Sequence, residues 1–239
     1  INISALRAER DSQFFSIKFT YEGCEKPGVF VDHHLCHANS AFFTSGFKSS
    51  LIVTHDGSGE AFGYSEGGVY LGLDGVVYPV FPHSLIAGKI YHLVGANLGL
   101  GRLGAPGKLM GLAAYGRPIF YDDRFVGNHT ELIKNHQCTS LFKAWWDHCM
   151  QVSMKLGYKG HSSLGSKNSI LSPLSIDIAA STQKLFEETL LLFVGSLKQY
   201  FKRYYGPPTT SNLCLSGGAA LNCPTNKLLV EAFADDNLF

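Results

Sequence analysis

Two histidines four positions apart, His33 and His37, carry the strongest signal for chemistry in this sequence. If the stretch is helical, four residues turn the chain by about 400°, which places both imidazoles on one face, one turn apart. A helix holds one metal ion or one anion from two side chains in this way. Histidines also reach this spacing by chance on surfaces and in cores. His34 lies about 100° away and would have a different role, or none.

The segment around the two histidines is predicted to be helical. Asp32 stands where it can cap the helix, and apolar residues recur at helical spacing. These apolar residues are Leu35, Ala38, Ala41 and Phe42. A short buried strand over residues 29–31 is predicted to lead into the helix.

A carboxylate, Asp56, follows a predicted buried strand over residues 51–54 and opens a Gly-Ser-Gly turn. Folds of the α/β class place metal and phosphate contacts at such carboxyl ends of strands. An aspartate that bonds its own backbone in the turn is the structural alternative. Glu60, at the end of the turn, is either a second carboxylate of the site or the start of the next strand.

A first glycine-rich turn, residues 104–108, precedes a predicted helix over residues 109–115. Free backbone N–H groups at a helix N-terminus bind phosphate, and Lys108 would add a charge next to Gly107. The turn departs from the phosphate-loop pattern because Leu109 follows the lysine. A solvated lysine is the simpler interpretation.

A second glycine turn, Gly217-Gly218, follows a predicted strand over residues 213–215 and precedes a predicted helix over residues 219–233. Two glycines would let a base or ribose lie against the backbone, with Asn222 or Asn226 as hydrogen-bond donor. Tight packing of helix on strand, with a structural asparagine cap, explains the same residues equally well.

The remaining pattern predicts an α/β fold, since short strands alternate with helices. Asp74-Gly75 marks a hairpin between strands over residues 61–73 and 76–81. Helices are predicted over residues 86–98, 141–156 and 176–205, with a polar loop over residues 157–173. No repeat of fixed period is visible.

Composition excludes several classes of function. The 239 residues carry 20 basic and 19 acidic side chains, which leaves no electrostatic footprint for nucleic acid or an anionic membrane. No apolar run reaches membrane-spanning length. Six scattered cysteines without a CxxC motif are typical of reduced thiols in a cytoplasmic protein. No GxSxG motif or zinc-finger spacing is present.

Both ends of the sequence look cut, since it starts at Ile1 and stops at Phe239 where a strand is predicted to begin. We therefore expect a fragment of a longer protein.

Four motifs, in this order, resemble those of the O-carbamoyltransferases of the nodulation and antibiotic-biosynthesis type. They are HHLCHANSAF (33–42), DGSGE (56–60), GKLMGLAAYG (107–116) and LSGGAALNC (215–223). The resemblance covers about residues 28–239 and is weakest over 119–170. The main domain of this family is similar to the tRNA threonylcarbamoyl-transferase subunit. The resemblance thus implies the actin/hexokinase/Hsp70 ATPase fold, which is ribonuclease H-like, with mixed sheets flanked by helices.

The resemblance also implies site residues. His33, His37 and Asp56 match the ligands of a divalent metal, usually Fe²⁺, with Mn²⁺ or Zn²⁺ as alternatives. Residues matching segments around a bound nucleotide are Gly107, Lys108, Gly217, Gly218 and Asn222. His34 is the candidate for an acid/base or oxyanion contact, with Asp56 as the second candidate catalytic residue.

The implied reaction uses carbamoyl phosphate and ATP, joined to carbamoyladenylate in a separate C-terminal domain. An acceptor hydroxyl then attacks the carbonyl of this intermediate at the metal site. The expected organisation is a first lobe over residues 28–118 with the metal site, a variable insertion over 119–174 and a second lobe over 175–239 with the nucleotide turn. The first strand, with its own phosphate loop, the segment after Phe239 and the C-terminal domain are absent from this sequence, so the fragment alone is expected to hold half a site. His55 departs from the pattern, which has an apolar residue there, and could be an extra ligand.

Two other functions stay open. One is a threonylcarbamoyl-transferase that modifies tRNA, against which the neutral net charge argues. The other is an actin-like nucleotide-binding module without catalysis. The expected partner is a small-molecule hydroxyl acceptor, with no membrane, no nucleic acid and a homodimer left open.

Overall fold

The computed structural model describes residues 11, 14–57, 66–83, 85–101, 104–126, 138–205, 211–235 and 237–239. The chain forms two compact units, one from residues 1–84, 196–221 and 233–239 and the other from 85–195 and 222–232. These units divide the chain differently from the lobes expected at residues 28–118 and 175–239. The lobes of the full-length protein stay a prediction.

The first unit is built on a five-stranded sheet with the order β5-β4-β3-β6-β7. Its strands are β3 (Ser49–His55), β4 (Gly67–Leu73), β5 (Val76–His83), β6 (Asn212–Ser216) and β7 (Asn237–Leu238). Strands β3, β4 and β5 form an antiparallel meander, whereas β6 runs parallel to β3 and β7 runs parallel to β6. Because β3 and β6 are parallel, their carboxyl ends meet at the same edge.

A tight hairpin turn and a second, two-stranded sheet complete the strands of this unit. Asp74 and Gly75 both have positive φ, 49° and 78°, as the predicted two-residue hairpin between β4 and β5 requires. A separate two-stranded sheet pairs β1 (Phe14–Tyr21) with β2 (Cys24–Val31). The predicted strand over residues 29–31 is thus the end of a longer one.

Helix α1 (His33–Ser45) follows β2 and confirms the helix predicted around the histidines. Asp32 caps it, with Oδ1 accepting the N–H of Leu35 at 3.0 Å, and Gly46 ends it in the left-handed conformation at φ 74°. The predicted apolar stripe is buried against the sheet. This core comprises Leu35, Ala38, Ala41, Phe42, Ile52, Tyr70, Val77 and Cys214.

The second unit is helical. Its helices are α2 (Ala87–Asn97), α3 (Ala105–Ala113), α4 (Cys138–Lys155), α5 (Pro173–Tyr205) and α6 (Cys223–Ala232), and residues 196–205 of α5 belong to the first unit. The buried Trp145 donates from Nε1 to Thr182 Oγ1 at 3.1 Å, which ties α4 to α5. Residues 161–163 and 167–169 form short 3₁₀ turns within the predicted polar loop.

Two helix starts were wrongly placed by the sequence pattern. Helix α3 begins at Ala105 rather than at residue 109, because Pro106 suits the first turn of a helix and Gly104 supplies a left-handed start at φ 77°. The predicted helix over residues 219–233 is a 3₁₀ turn over Gly218–Leu221 followed by α6.

The fold is therefore the expected mixed α/β class, with a sheet packed against helix α1 in the first unit. Among the described helices, none combines the length and the apolar character needed to cross a membrane. The five cysteines whose side chains are described are free thiols.

Phe42 is expected to be the side chain of α1 on which helix docking depends most. It is 2% exposed, and a Cβ placed at Gly72 would lie 2.3 Å from its ring, so the strand opposite has no room for a side chain. Phe42→Ala should lower the free energy of unfolding by about 3–5 kcal/mol in urea titrations. Its neighbour Phe43 is 60% exposed, and Phe43→Ala should change this energy by less than about 1 kcal/mol. Equal effects of the two variants would contradict this packing.

Candidate metal centre

Three side chains from the start of α1 and the end of β3 converge in the first unit. His33 is the first residue of α1, His37 lies one turn later and Asp56 directly follows β3. The distance from Asp56 Oδ2 is 3.1 Å to His33 Nε2 and 3.2 Å to His37 Nε2. The two imidazole rings are 4.6 Å apart. Helix capping and strand pairing thus bring together the pair and the carboxylate that the sequence singled out.

The other carboxylate oxygen of Asp56 is held by the backbone. Oδ1 accepts the N–H of Gly57 at 3.1 Å and the N–H of Gly218 at 3.0 Å. Burial by itself would raise the pKa of the Asp56 carboxyl. The hydrogen bonds with His33, Gly218 and Gly57, together with nearby His37, outweigh burial and lower this pKa below its usual value. The carboxylate is therefore charged, with Oδ2 directed at both imidazoles.

This donor set fits a divalent metal. One nitrogen or oxygen from each of the three residues lies within 4.8 Å of the others. Two ligand atoms that bind one ion at about 2.1 Å lie about 3.0–3.4 Å apart, which matches both distances to Asp56. Two imidazoles and one carboxylate are a ligand set typical of Fe²⁺ centres with open positions, and Mn²⁺ and Zn²⁺ also accept these donors. The His33 side chain is 49% exposed, which leaves room for further ligands.

The glycine turn after β6 is shaped by this carboxylate. A Cβ at Gly218 would lie 2.5 Å from Asp56 Oδ1, and one at Gly217 would lie 2.4 Å from His55 O. Gly217 also has φ of 95°, a conformation that side chains rarely adopt. Sequence reasoning assigned both glycines to a nucleotide and missed the N–H of Gly218 as a partner of Asp56. The signal was available, because the ends of neighbouring parallel strands meet.

Three further histidines are buried around the ends of β3 and β5. His34, His55 and His83 are 6%, 3% and 6% exposed. His83 donates from Nε2 to the carbonyl of Thr54 at 2.8 Å, and its ring lies 5.5 Å from that of His55. Burial, to which His83 adds, lowers the pKa of His55 to about 3, and burial lowers the pKa of His83 to about 4. Both rings are therefore neutral near pH 7.

Burial bears on two expectations for these histidines. The ring of His34 lies 5.2 Å from that of His33, and its burial limits contact with a substrate, so an acid/base role stays a prediction. His55 packs against His83, and the group of metal donors found among the described residues does not include it. Glu60, the second candidate carboxylate, lies outside the described residues.

Gly107 and Lys108 lie in the second unit, inside α3 rather than in a turn before it. The ammonium group of Lys108 donates to the carbonyl of Leu100 at 3.0 Å, so it is engaged by the backbone of the segment between α2 and α3. A phosphate contact by either residue stays a prediction.

Asn222, also in the second unit, is 6% exposed and caps α6. Its Oδ1 accepts from the N–H of Thr225 at 3.1 Å and from Gln183 Nε2 at 2.9 Å. Its Nδ2 donates to Gln183 Oε1 at 3.0 Å, and Tyr91 OH donates to the same oxygen at 2.6 Å. The carboxamide thus forms the structural cap that the sequence analysis gave as one of two alternatives. A nucleotide contact through it stays a prediction.

Comparison with known proteins places these features in context. Residues 16–239 match the family model described as "Carbamoyltransferase N-terminus". The chain is 32% identical over 212 residues to an uncharacterized protein of Synechocystis sp., sll1178, covering 86% of this chain and 32% of that protein. It is 30% identical over 213 residues to the nodulation protein NolNO of Sinorhizobium fredii, covering 88% of this chain and 28% of that protein. It is 29% identical over 209 residues to the nodulation protein NolO of Bradyrhizobium diazoefficiens, covering 86% of this chain and 34% of that protein. The chain spans about a third of the length of these relatives.

Gly218→Ala should weaken metal binding without unfolding the protein. The added methyl group would lie 2.5 Å from Asp56 Oδ1 and displace the carboxylate or the N–H that holds it. We expect the Kd for Mn²⁺ in calorimetric titrations to rise by about tenfold or more, as for the loss of other contacts that orient a metal ligand. A Cβ at Gly111, in α3, meets nothing within 4 Å, so Gly111→Ala is the matched control and should bind like the wild type. Unchanged affinity in Gly218→Ala would show that this contact does not position Asp56.

The buried histidines predict a loss of stability in mild acid. The folded-state pKa values of His55 and His83, about 3 and about 4, lie below the usual value of 6.5. The fold therefore requires neutral rings, and its stability is fully present above pH 6.5. As the pH falls from 7 to 5, the unfolded chain takes up protons that the folded chain does not, which lowers the free energy of unfolding by roughly 3 kcal/mol.

Urea titrations of metal-free protein at the two pH values measure this loss. His83→Gln keeps a donor for the carbonyl of Thr54, and its free energy of unfolding should fall by about half as much as that of the wild type between pH 7 and pH 5. His92→Gln, on α2, is the control, and its free energy of unfolding should fall by the same amount as that of the wild type. The same stability of the wild type at pH 7 and pH 5 would contradict the assignment.

Proposed function

The chain belongs to the family of carbamoyltransferase N-terminal domains, and from this premise we propose that it holds the metal site at which a carbamoyl group passes to a hydroxyl of a small-molecule acceptor. The observation that carries the proposal is the convergence of His33, His37 and Asp56 Oδ2, at 3.1 and 3.2 Å. Because the chain spans about a third of its relatives' length, the activity belongs to the full-length protein.

The proposed donor is carbamoyladenylate, made from carbamoyl phosphate and ATP. The acceptor oxygen forms a bond to the carbonyl carbon of the donor, and the bond from that carbon to the phosphate oxygen breaks. AMP leaves with the electron pair of that bond, and the hydroxyl proton passes to a base. The reaction is thus an acyl transfer between two oxygens and needs no oxidant or reductant.

The described residues have distinct tasks in this proposal. A bound divalent metal, Fe²⁺ or alternatively Mn²⁺ or Zn²⁺, would supply Lewis-acid polarisation of the carbonyl or the hydroxyl. His33, His37 and Asp56 would hold it. Gly57 and Gly218 fix the carboxylate in its charged form through Oδ1. His34, next to the first ligand, remains the candidate for proton transfer.

Nucleotide binding and the wider fold are further parts of the proposal. We assign Gly107, Lys108, the Gly217-Gly218 turn and Asn222 to segments around the nucleotide. The actin-like, ribonuclease H-like fold is supported by the mixed sheet, in which an antiparallel meander lies beside two parallel strands. Because ligands of α/β sheets bind at the carboxyl ends of parallel strands, we expect the turns at the strand ends, rather than side chains on the sheet faces, to contact the ligand.

Removal of one metal ligand should separate the two half-reactions. In the full-length protein loaded with Fe²⁺ under anaerobic conditions, His37→Ala should lower carbamoyl transfer to sugar, lipo-oligosaccharide or antibiotic acceptors by about 100-fold or more, because the ion loses an inner ligand. ATP-dependent formation of carbamoyladenylate should stay within about twofold, because the proposal places it in a separate domain. Radiolabelled carbamoyl phosphate, with separation of adenylate from product, measures both steps.

His92→Ala, a histidine outside the site, is the control and should transfer at the wild-type rate. Full transfer by metal-depleted protein or by His37→Ala would overturn the metal-centred proposal. Incorporation of radiolabelled threonine into tRNA as a threonylcarbamoyl group, catalysed by the full-length protein, would instead identify the threonylcarbamoyl-transferase alternative.

A further inference from the structure

We propose that Ser216 is a positioning residue that keeps His37 in the tautomer able to bind the metal. Ser216 is the last residue of β6, and its Oγ lies 3.4 Å from His37 Nδ1. The other ring nitrogen, Nε2, lies 3.2 Å from Asp56 Oδ2. The imidazole therefore stands between a hydroxyl and a carboxylate. The inference rests on the proposed function for the identity of the metal site.

The chemistry of imidazole explains why this hydroxyl matters. A neutral histidine carries one proton on one of its two ring nitrogens, and a metal binds the nitrogen that lacks it. His37 can offer Nε2 to an ion shared with Asp56 only if Nδ1 keeps the proton. A serine hydroxyl next to Nδ1 accepts that proton in a hydrogen bond and stabilises this tautomer. Asp56 alone would favour the opposite tautomer, because its carboxylate accepts a proton from Nε2.

The backbone fixes the hydroxyl where the imidazole needs it. Parallel pairing sets Thr54 opposite Ser216, so the ends of β3 and β6 lie side by side. Directly after Ser216 the chain turns at Gly217, where a Cβ would come within 2.4 Å of the carbonyl of His55. The turn therefore packs on the end of β3, and Ser216 cannot move away from α1 without breaking this contact.

The two histidine ligands differ in this respect. Among the residues that the structure describes, Ser216 contacts the ring nitrogen of His37 that faces away from Asp56, and no such partner is found for Nδ1 of His33. The side chain of His33 is also more exposed, 49% against 31% for His37. We infer that water satisfies the outer nitrogen of His33, whereas the tautomer of His37 is set by the protein.

The test compares Ser216→Ala, which removes the hydroxyl, with Ser216→Thr, which keeps it, in the full-length protein. The Kd for Co²⁺ should rise by about tenfold or more in Ser216→Ala and stay within about threefold in Ser216→Thr. Ser40→Ala, an exposed serine on α1, is the matched control and should bind like the wild type. Equal melting temperatures would establish that all variants are folded.

A second readout does not depend on metal or activity. In metal-free protein, ¹⁵N chemical shifts of the His37 ring should show a larger fraction of the Nδ1-protonated tautomer in the wild type and in Ser216→Thr than in Ser216→Ala, where only Asp56 acts on the ring. Wild-type affinity in Ser216→Ala would overturn the inference. Weaker binding with an unchanged tautomer would also overturn it, because Ser216 would then act in another way.

These readouts also separate this inference from the proposed function. If the wild type binds Co²⁺ but transfers no carbamoyl group, the proposed carbamoyl transfer is refuted, and the Co²⁺ affinities and the His37 tautomer still decide the role of Ser216. If the wild type binds no metal, the ¹⁵N shifts alone decide whether Ser216 sets the tautomer of His37.

Discussion

The anchoring of one carboxylate oxygen by two backbone N–H groups is the constraint on which the candidate site depends. Oδ1 of Asp56 is held from its own turn by Gly57 and from the turn after β6 by Gly218. Both donors are backbone groups in turns that directly follow paired strands, and backbone groups have no rotamers, so the direction of the remaining oxygen is fixed. Hydrogen bonds to an ionised acceptor are also stronger than neutral ones, which keeps the carboxyl charged although it is partly buried.

The imidazoles meet this oxygen because helix and sheet share a core. Phe42 and the other buried residues of α1 fix the helix on the sheet, and the Asp32 cap fixes its first turn, where His33 stands. The first turn of a helix is otherwise the part most prone to fray. The packing of Phe42, nine positions after His33, and the cap one residue before His33 thus jointly set the orientation of the two rings.

Sequence reasoning succeeded where the determinants are local. The α1 helix follows from a cap and an apolar period, and the hairpin at Asp74-Gly75 follows from turn chemistry. It failed where the determinant was pairing between distant segments. The contacts of Gly218 and Ser216 with the site exist only because β6 lies beside β3, and the burial of Asn222 against Gln183 depends on how α6 packs. A single sequence shows the glycines and the polar residues but not which partner each one meets.

The pairing of Thr54 with Ser216 has a consequence for the order of events during synthesis. The partners are 162 positions apart in sequence, so the loop between them must close before Asp56 acquires its second N–H contact. At about 5–20 residues per second a ribosome needs roughly 8–30 s to produce that loop. During this interval the two imidazoles already exist on a local helix, whereas the carboxylate is held from one side only. If the site holds a metal as proposed, an ion captured so early would meet a looser set of ligands than the finished protein offers, and the complete ligand set would form only in the last stage of folding.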